Sequence, residues 1–205
     1  MKTIKAVMSV GAVVVLASCA SPGPTREETM KVVKGSFQER GIAKLDRLEQ
    51  SDLQLACSEA SLKNKDLPKD VRERLEKQQM ATIKYPADGK FLGDWKAGER
   101  VAQSGVGMQW SDNDKTVNGG NCYACHQLSP QEVSFGNIGP SLKHYGKLRG
   151  NSEAVVKYTW GKIWNTHAFN ACSSMPRFGD AGILTEAQIR DVMALLLDPT
   201  SPVNK

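Results

Sequence analysis

Cys122-Tyr123-Ala124-Cys125-His126 places two thiols two residues apart, with an imidazole directly after the second. This is the attachment pattern of a c-type haem. The thiols add to the two haem vinyl groups, and the histidine becomes the proximal iron ligand. Three side chains thus specify a cofactor, its covalent linkage and one axial ligand. Rival readings of the pattern fare worse. A zinc ribbon needs a second cysteine pair, and only Cys172 follows. A thioredoxin-like pair needs a βαβ setting, which Gln127 to Pro140 do not supply. With five cysteines in 205 residues, chance is a poor explanation for two of them falling beside His126.

The candidates for the other axial position are His144, His167 and the methionines. Met175 stands out by its setting, Ala171-Cys172-Ser173-Ser174-Met175-Pro176-Arg177-Phe178-Gly179. This is a loop between two expected helices, stiffened by Pro176 and given a sharp turn by Gly179. Met193 falls on the apolar face of a helix and reads as core, and Met80 and Met108 have no comparable loop. A thioether opposite histidine favours ferrous haem and raises the reduction potential. It also closes the sixth position, which suits electron transfer better than oxygen chemistry. His144 and His167 read as surface or hydrogen-bonding histidines; ligation by either would lower the potential.

The start of the chain reads as an export signal. Lys2 and Lys5 precede an apolar run, Val7 to Leu16, too short to span a bilayer. Leu16-Ala17-Ser18-Cys19 resembles a bacterial lipobox, in which Cys19 becomes the lipidated first residue; ordinary cleavage after Ala20 is the alternative. Either route sends the product to the periplasm, where c-type haem is attached. The formal charge of +5 falls to about +3 once residues 1–18 are removed, which calls for no nucleic acid.

Residues 1–18 are thus read as signal peptide, 19–25 as a Pro/Gly tether, 26–85 as a helical N-terminal extension and 86–205 as the haem domain. Met30, Val33 and Phe37 share one helical face, and Leu45, Leu48, Leu53 and Leu55 suggest a second helical piece. Pro68 is expected in the first turn of a third helix. Asp94 to Ser104 can form an amphipathic helix, and Ser152 to Trp164 another with Ser152 as N-cap. Thr185 and Gln188 make a capping box; Ile189, Val192, Met193 and Leu196 follow as one buried face, and Pro199 ends the helix. The expected class is all-α.

The segments Gly120-Asn121-Cys122-Tyr123-Ala124-Cys125-His126-Gln127, Gly139-Pro140-Ser141-Leu142 and Tyr145-Gly146-Lys147-Leu148-Arg149-Gly150 resemble the SoxX family. So do Met175-Pro176-Arg177-Phe178-Gly179 and Gly182-Ile183-Leu184-Thr185-Glu186, and the similarity runs from about Pro86 to Val203. SoxX is the mono-haem subunit of the thiosulfate-oxidising SoxAX complex. The resemblance implies a class I cytochrome c-like domain carrying one covalent haem c, here preceded by a helical extension. It implies His126 and Met175 as iron ligands and, as in mono-haem cytochromes c, the Pro140 carbonyl against the proximal imidazole N–H. The partner would be a SoxA-type cytochrome in a heterodimer. The complex conjugates thiosulfate oxidatively to a cysteine of the SoxYZ carrier, and a small acceptor cytochrome takes the electrons. The substrate-reacting cysteine belongs to SoxA, so this chain is expected to hold no catalytic residue and to act as the electron-transfer subunit of an L-cysteine S-thiosulfotransferase.

Cys57 and Cys172 remain. In an oxidising compartment they read as a structural disulfide, with a redox-active Cys172 thiol as the sharper alternative. Two other functions stay open: a free-standing periplasmic electron carrier, and a haem enzyme or gas sensor with an open sixth site. Lys143, Lys147 and Arg149 follow the haem loop and read either as a steering patch for acidic partners or as a solvated basic face.

Overall fold

A computed structural model describes residues 23–205 of the chain. Cys19 and the export signal lie outside the described residues. Residues up to Phe37 form one unit and Gln38–Lys205 a second. The first contains α1 (Arg26–Ser36), opened by a capping box in which Thr25 and Glu28 exchange hydrogen bonds. The Thr25 N–H and hydroxyl hold the Glu28 carboxyl below its usual range. No residue of α1 is buried; Met30 and Val33 are half-exposed and Phe37 is open to solvent.

The second unit contains α2 (Asp52–Leu62), α3 (Lys69–Met80), α4 (Trp95–Gln103), α5 (Tyr145–Arg149), α6 (Glu153–Trp164) and α7 (Glu186–Leu197). No strand occurs among the described residues, only an isolated bridge between Arg40 and Ala43. The leucines expected to make one helical piece divide. Leu45–Leu48 is a 3-10 turn, and Ser51 then starts α2 with its own capping box to Gln54, so Leu53 and Leu55 belong to a separate helix. Pro68 caps α3 rather than entering its first turn, a position that also wastes no N–H. The helices beginning at Trp95, Glu153 and Glu186 start after Asp94, Ser152 and Thr185, each of which accepts a backbone N–H as a cap.

The main core joins α4, α6 and α7 around Trp160, Trp164, Ile189, Met193 and Leu195. α4 crosses α7 at Gly98, where a Cβ would collide with the Asp191 carbonyl and lie 3.1 Å from the Leu195 Cβ. Only glycine permits this approach. The buried indoles find acceptors in the connection between α3 and α4: Trp160 Nε1–H donates to Lys84 O at 2.8 Å and Trp164 Nε1–H to Thr82 O at 3.1 Å. At the far end of α7, Ser201 Oγ donates to Leu195 O, and Asn204 Nδ2 to Leu196 O and Asp198 O. These bonds satisfy carbonyls that have no partner within the helix. A smaller cluster gathers Leu53 of α2, Leu75 of α3 and Ala171. It brings the α2–α3 pair against the chain just before Met175.

Candidate haem site

The motif is seated first by its own backbone. Asn121 adopts a left-handed conformation, and Cys122–Ala124 forms a 3-10 turn. The His126 N–H closes that turn onto Cys122 O at 2.9 Å. The turn is docked from upstream, where Gly120 N–H donates to Val101 O of α4 at 2.8 Å. Asn118 bridges to the α7 side, donating to Ile183 O and accepting from Gln188 Nε2.

The loop after the motif then wraps back over it. Gly136 N–H donates to Tyr123 O at 2.8 Å, Gly139 N–H to Cys125 O at 2.9 Å and Leu142 N–H to Gln127 O at 2.7 Å. A Cβ on Gly139 would enter the His126 imidazole, so the backbone lies close against the ring. His126 Nδ1 is 2.7 Å from Pro140 O. A carbonyl only accepts, so Nδ1 carries the proton and Nε2 keeps its lone pair. That tautomer suits ligation, and the carbonyl strengthens the imidazole as a donor.

Cys122 and Cys125 are unbonded, and no other unbonded cysteine occurs among the described residues. Burial pushes the Cys122 thiol up to about 12. Tyr123, between them, is buried; burial and its bond to Glu99 hold its phenol protonated despite the Ser129 N–H.

The Met175 loop is secured by a different set of contacts. Upstream, Cys172 is joined to Cys57 of α2 by a disulfide with Cα atoms 5.5 Å apart. Ala171 N–H donates to Glu76 of α3 at 3.1 Å. Within the loop, Met175 N–H donates to Ser173 Oγ, and His167 Nε2–H to Ser173 O at 3.1 Å. Downstream, Gly179 and Asp180 N–H both donate to Trp164 O, and Arg177 pairs with Asp180 at 3.0 Å. Met175 and Cys122 are each half-buried and border the same core cluster.

The other sequence candidates are placed as follows. Met193 is wholly buried in α7. Met80 is exposed, and Met108 is exposed at positive φ with its sulfur 3.6 Å from Asn118 Nδ2. His167 is buried, with Nε2 given to Ser173 O. His144 precedes α5 at positive φ. Sequence reasoning passed over Glu99, which accepts from the Tyr123 hydroxyl at 2.9 Å. A signal was present: Trp95, Gly98, Glu99 and Ala102 fall at helical spacing, which sets a carboxyl on an inward face.

These side chains fit a covalently attached haem c. Two unbonded cysteines would form the thioethers, an imidazole of the correct tautomer would bind iron, and glycine leaves room for the ring. When bound, such a group accepts and releases one electron at its iron. The fold and this site together define a cytochrome c-like haem domain of the all-α, class I type. The chain belongs to the cytochrome c family, which residues 96–198 match. It is also similar to a protein of Aquifex aeolicus (strain VF5) described as an uncharacterized lipoprotein, with 44% identity over 135 residues. The matched stretch covers 63% of this chain and 61% of that protein, so the chain spans about three-fifths of its relative's length.

Proposed function

We propose that this chain is the electron-transfer subunit of a SoxAX-type L-cysteine S-thiosulfotransferase. In that reaction a carrier cysteine thiol and thiosulfate join through a new S–S bond, releasing one proton and two electrons. This subunit would accept them one at a time and pass each to a small acceptor cytochrome, while bond formation belongs to the SoxA-type partner. The observation that carries the reading is the Met175 loop. A methionine held from both sides by a disulfide, His167 and Trp164 supports a closed His126/Met175 site, and a closed site favours relay over ligand binding. The five SoxX-like segments, in order, direct the relay towards thiosulfate chemistry.

Location follows the same reading. The lipobox-like Leu16-Ala17-Ser18-Cys19 and the lipoprotein description of the Aquifex relative support export to the periplasm with a lipid anchor at Cys19. No described helix is long and apolar enough to cross a membrane. Fractionation of Cys19→Ser tests the anchor: the variant should leave the membrane fraction.

The function is tested by mixing purified holoprotein with a SoxA-type cytochrome, a SoxYZ carrier and thiosulfate. Expected are a stable heterodimer, haem reduction followed optically, and a carrier mass increased by the thiosulfonate group. A holoprotein that forms no complex and stays oxidised, while still exchanging electrons with small cytochromes, is a free-standing carrier instead.

A further inference from the structure

We propose that Glu99 is a proton-binding site coupled to electron transfer, taking a proton from solvent when an electron enters the site and returning it when the electron leaves. The balance is one electron and one proton in, then one electron and one proton out. The proposal rests on the haem c reading and is independent of which partner donates the electron.

The geometry of the carboxyl carries it. Glu99 lies on the inward face of α4 beside buried Gly98 and Ala102. Its Oε1 accepts from the Tyr123 hydroxyl at 2.9 Å and from Gln103 Nε2 at 3.2 Å. Its Oε2 is sealed from solvent with no hydrogen-bond partner. An ionised carboxylate with one oxygen buried and unpaired is costly, so the neutral form is favoured. Burial raises the Glu99 pKa, the Tyr123 hydrogen bond opposes this, and the like charge of Glu132 adds to it.

No ion pair to Glu99 occurs among the described residues. From the motif, the Tyr123 hydroxyl donates to the carboxyl and Ser129 N–H donates to the Tyr123 oxygen; from the following loop, Glu132 adds a like charge; on α4 itself, Lys96 lies over the Trp95 ring. On α7, Arg190 is engaged by Asp88 and Glu186, and Asp191 accepts from Asp94 N–H. Glu99 therefore stands as an unpaired acid hydrogen-bonded to Tyr123, which directly follows the haem-linking Cys122. An added electron makes this environment more negative and raises the proton affinity of a nearby acid. By linkage, the bound proton raises the electron affinity by the same factor.

The test is the midpoint potential of the holoprotein as a function of pH, for wild type, Glu99→Gln and Tyr123→Phe. Haem propionates titrate in all three, so the differences isolate Glu99. In wild type the potential should fall as pH rises through a window above the ordinary glutamate range. A tenfold difference in proton affinity between the two redox states corresponds to a total fall of about 59 mV for a one-electron couple. Glu99→Gln should lose that component. Tyr123→Phe removes the hydrogen bond that favours the charged form, so its window should move to higher pH. Infrared difference spectra should show a protonated carboxyl gained on reduction in wild type and absent in Glu99→Gln. A Glu99→Gln protein with normal haem content and an unchanged pH slope overturns the proposal while leaving the haem c reading intact.

Discussion

The haem-motif loop and the Met175 loop are secured in opposite ways. The proximal loop, residues 122–142, is held almost entirely by itself: the bonds from Gly136, Gly139 and Leu142 run to Tyr123, Cys125 and Gln127, and His126 is set by Pro140. The Met175 loop depends on distant chain. Its contacts reach Cys57 and Glu76 upstream and return to the end of α6. A locally closed loop forms wherever its own backbone can fold. A loop tied by long-range contacts depends on the rest of the molecule, and it can open while the other half holds. The expected consequence is an asymmetric site with a permanent proximal side and a conditional distal side.

The largest effect should come from the proximal side. Replacing Cys122 and Cys125 together with serine should abolish covalent haem, read as complete extraction of pigment into acidified organic solvent. Retention of covalent pigment would break the assignment of the motif. Next comes Met175→Ala. The far-red charge-transfer band of the oxidised protein should vanish entirely, the potential should drop, and carbon monoxide should bind the reduced form at neutral pH, with haem content unchanged. A band that persists would show the sulfur ligand to be another residue.

Cutting the long-range tie sharpens the contrast further. The Cys57–Cys172 bridge spans 115 residues. Chain-entropy arguments put the loss on converting both to serine at about 2–5 kcal/mol. The instability should be uneven, with the far-red band lost at lower denaturant than the global transition and the covalent haem retained throughout. Coincident transitions would mean that the distal loop is no weaker than its surroundings. Gly139→Ala should cost about 1–3 kcal/mol by overpacking, since a methyl group there displaces the imidazole and lengthens the Pro140 bond. Here the far-red band should remain while the potential shifts.

The same asymmetry explains what could be read from the sequence. The pentapeptide at 122–126 announces its chemistry because thioether attachment needs fixed spacing. Cap residues such as Thr185 and Gln188 act over three positions and mark α7 with equal clarity. The all-α class follows from such local signals. The break between Leu48 and Leu53 was less legible: both halves have helical spacing, and only the Ser51 cap separates them. Partners across long separations leave no local trace. Nothing near Thr82 or Lys84 indicates that their carbonyls receive the two core indoles. The bond from His167 to Ser173 spans only six residues, yet no periodicity in that irregular stretch marks it or the burial of the ring. Glu99 was hidden differently, since an acid in a short amphipathic helix reads as solvated unless its place on the helical face is traced.

The smallest expected effect concerns that histidine and probes the conditional side alone. His167 is buried, and burial lowers its pKa below the ordinary histidine value, with Arg177 adding to the effect and the Ser173 carbonyl opposing it. Nε2 carries a proton for the Ser173 carbonyl, and burial favours the neutral Nε2–H form over the imidazolium. Below about pH 6.5 the unfolded chain binds the proton more readily than the native one. Stability is therefore full above that value and declines as pH falls towards the depressed native pKa. The far-red band should become easier to remove with denaturant between pH 7 and 5, by less than when the disulfide is cut, while covalent haem is unaffected. His167→Gln keeps an amide donor for the Ser173 carbonyl and does not titrate, so its band should show no such pH dependence. If wild type and His167→Gln weaken along the same curve, His167 is not the acid-sensitive contact of this loop.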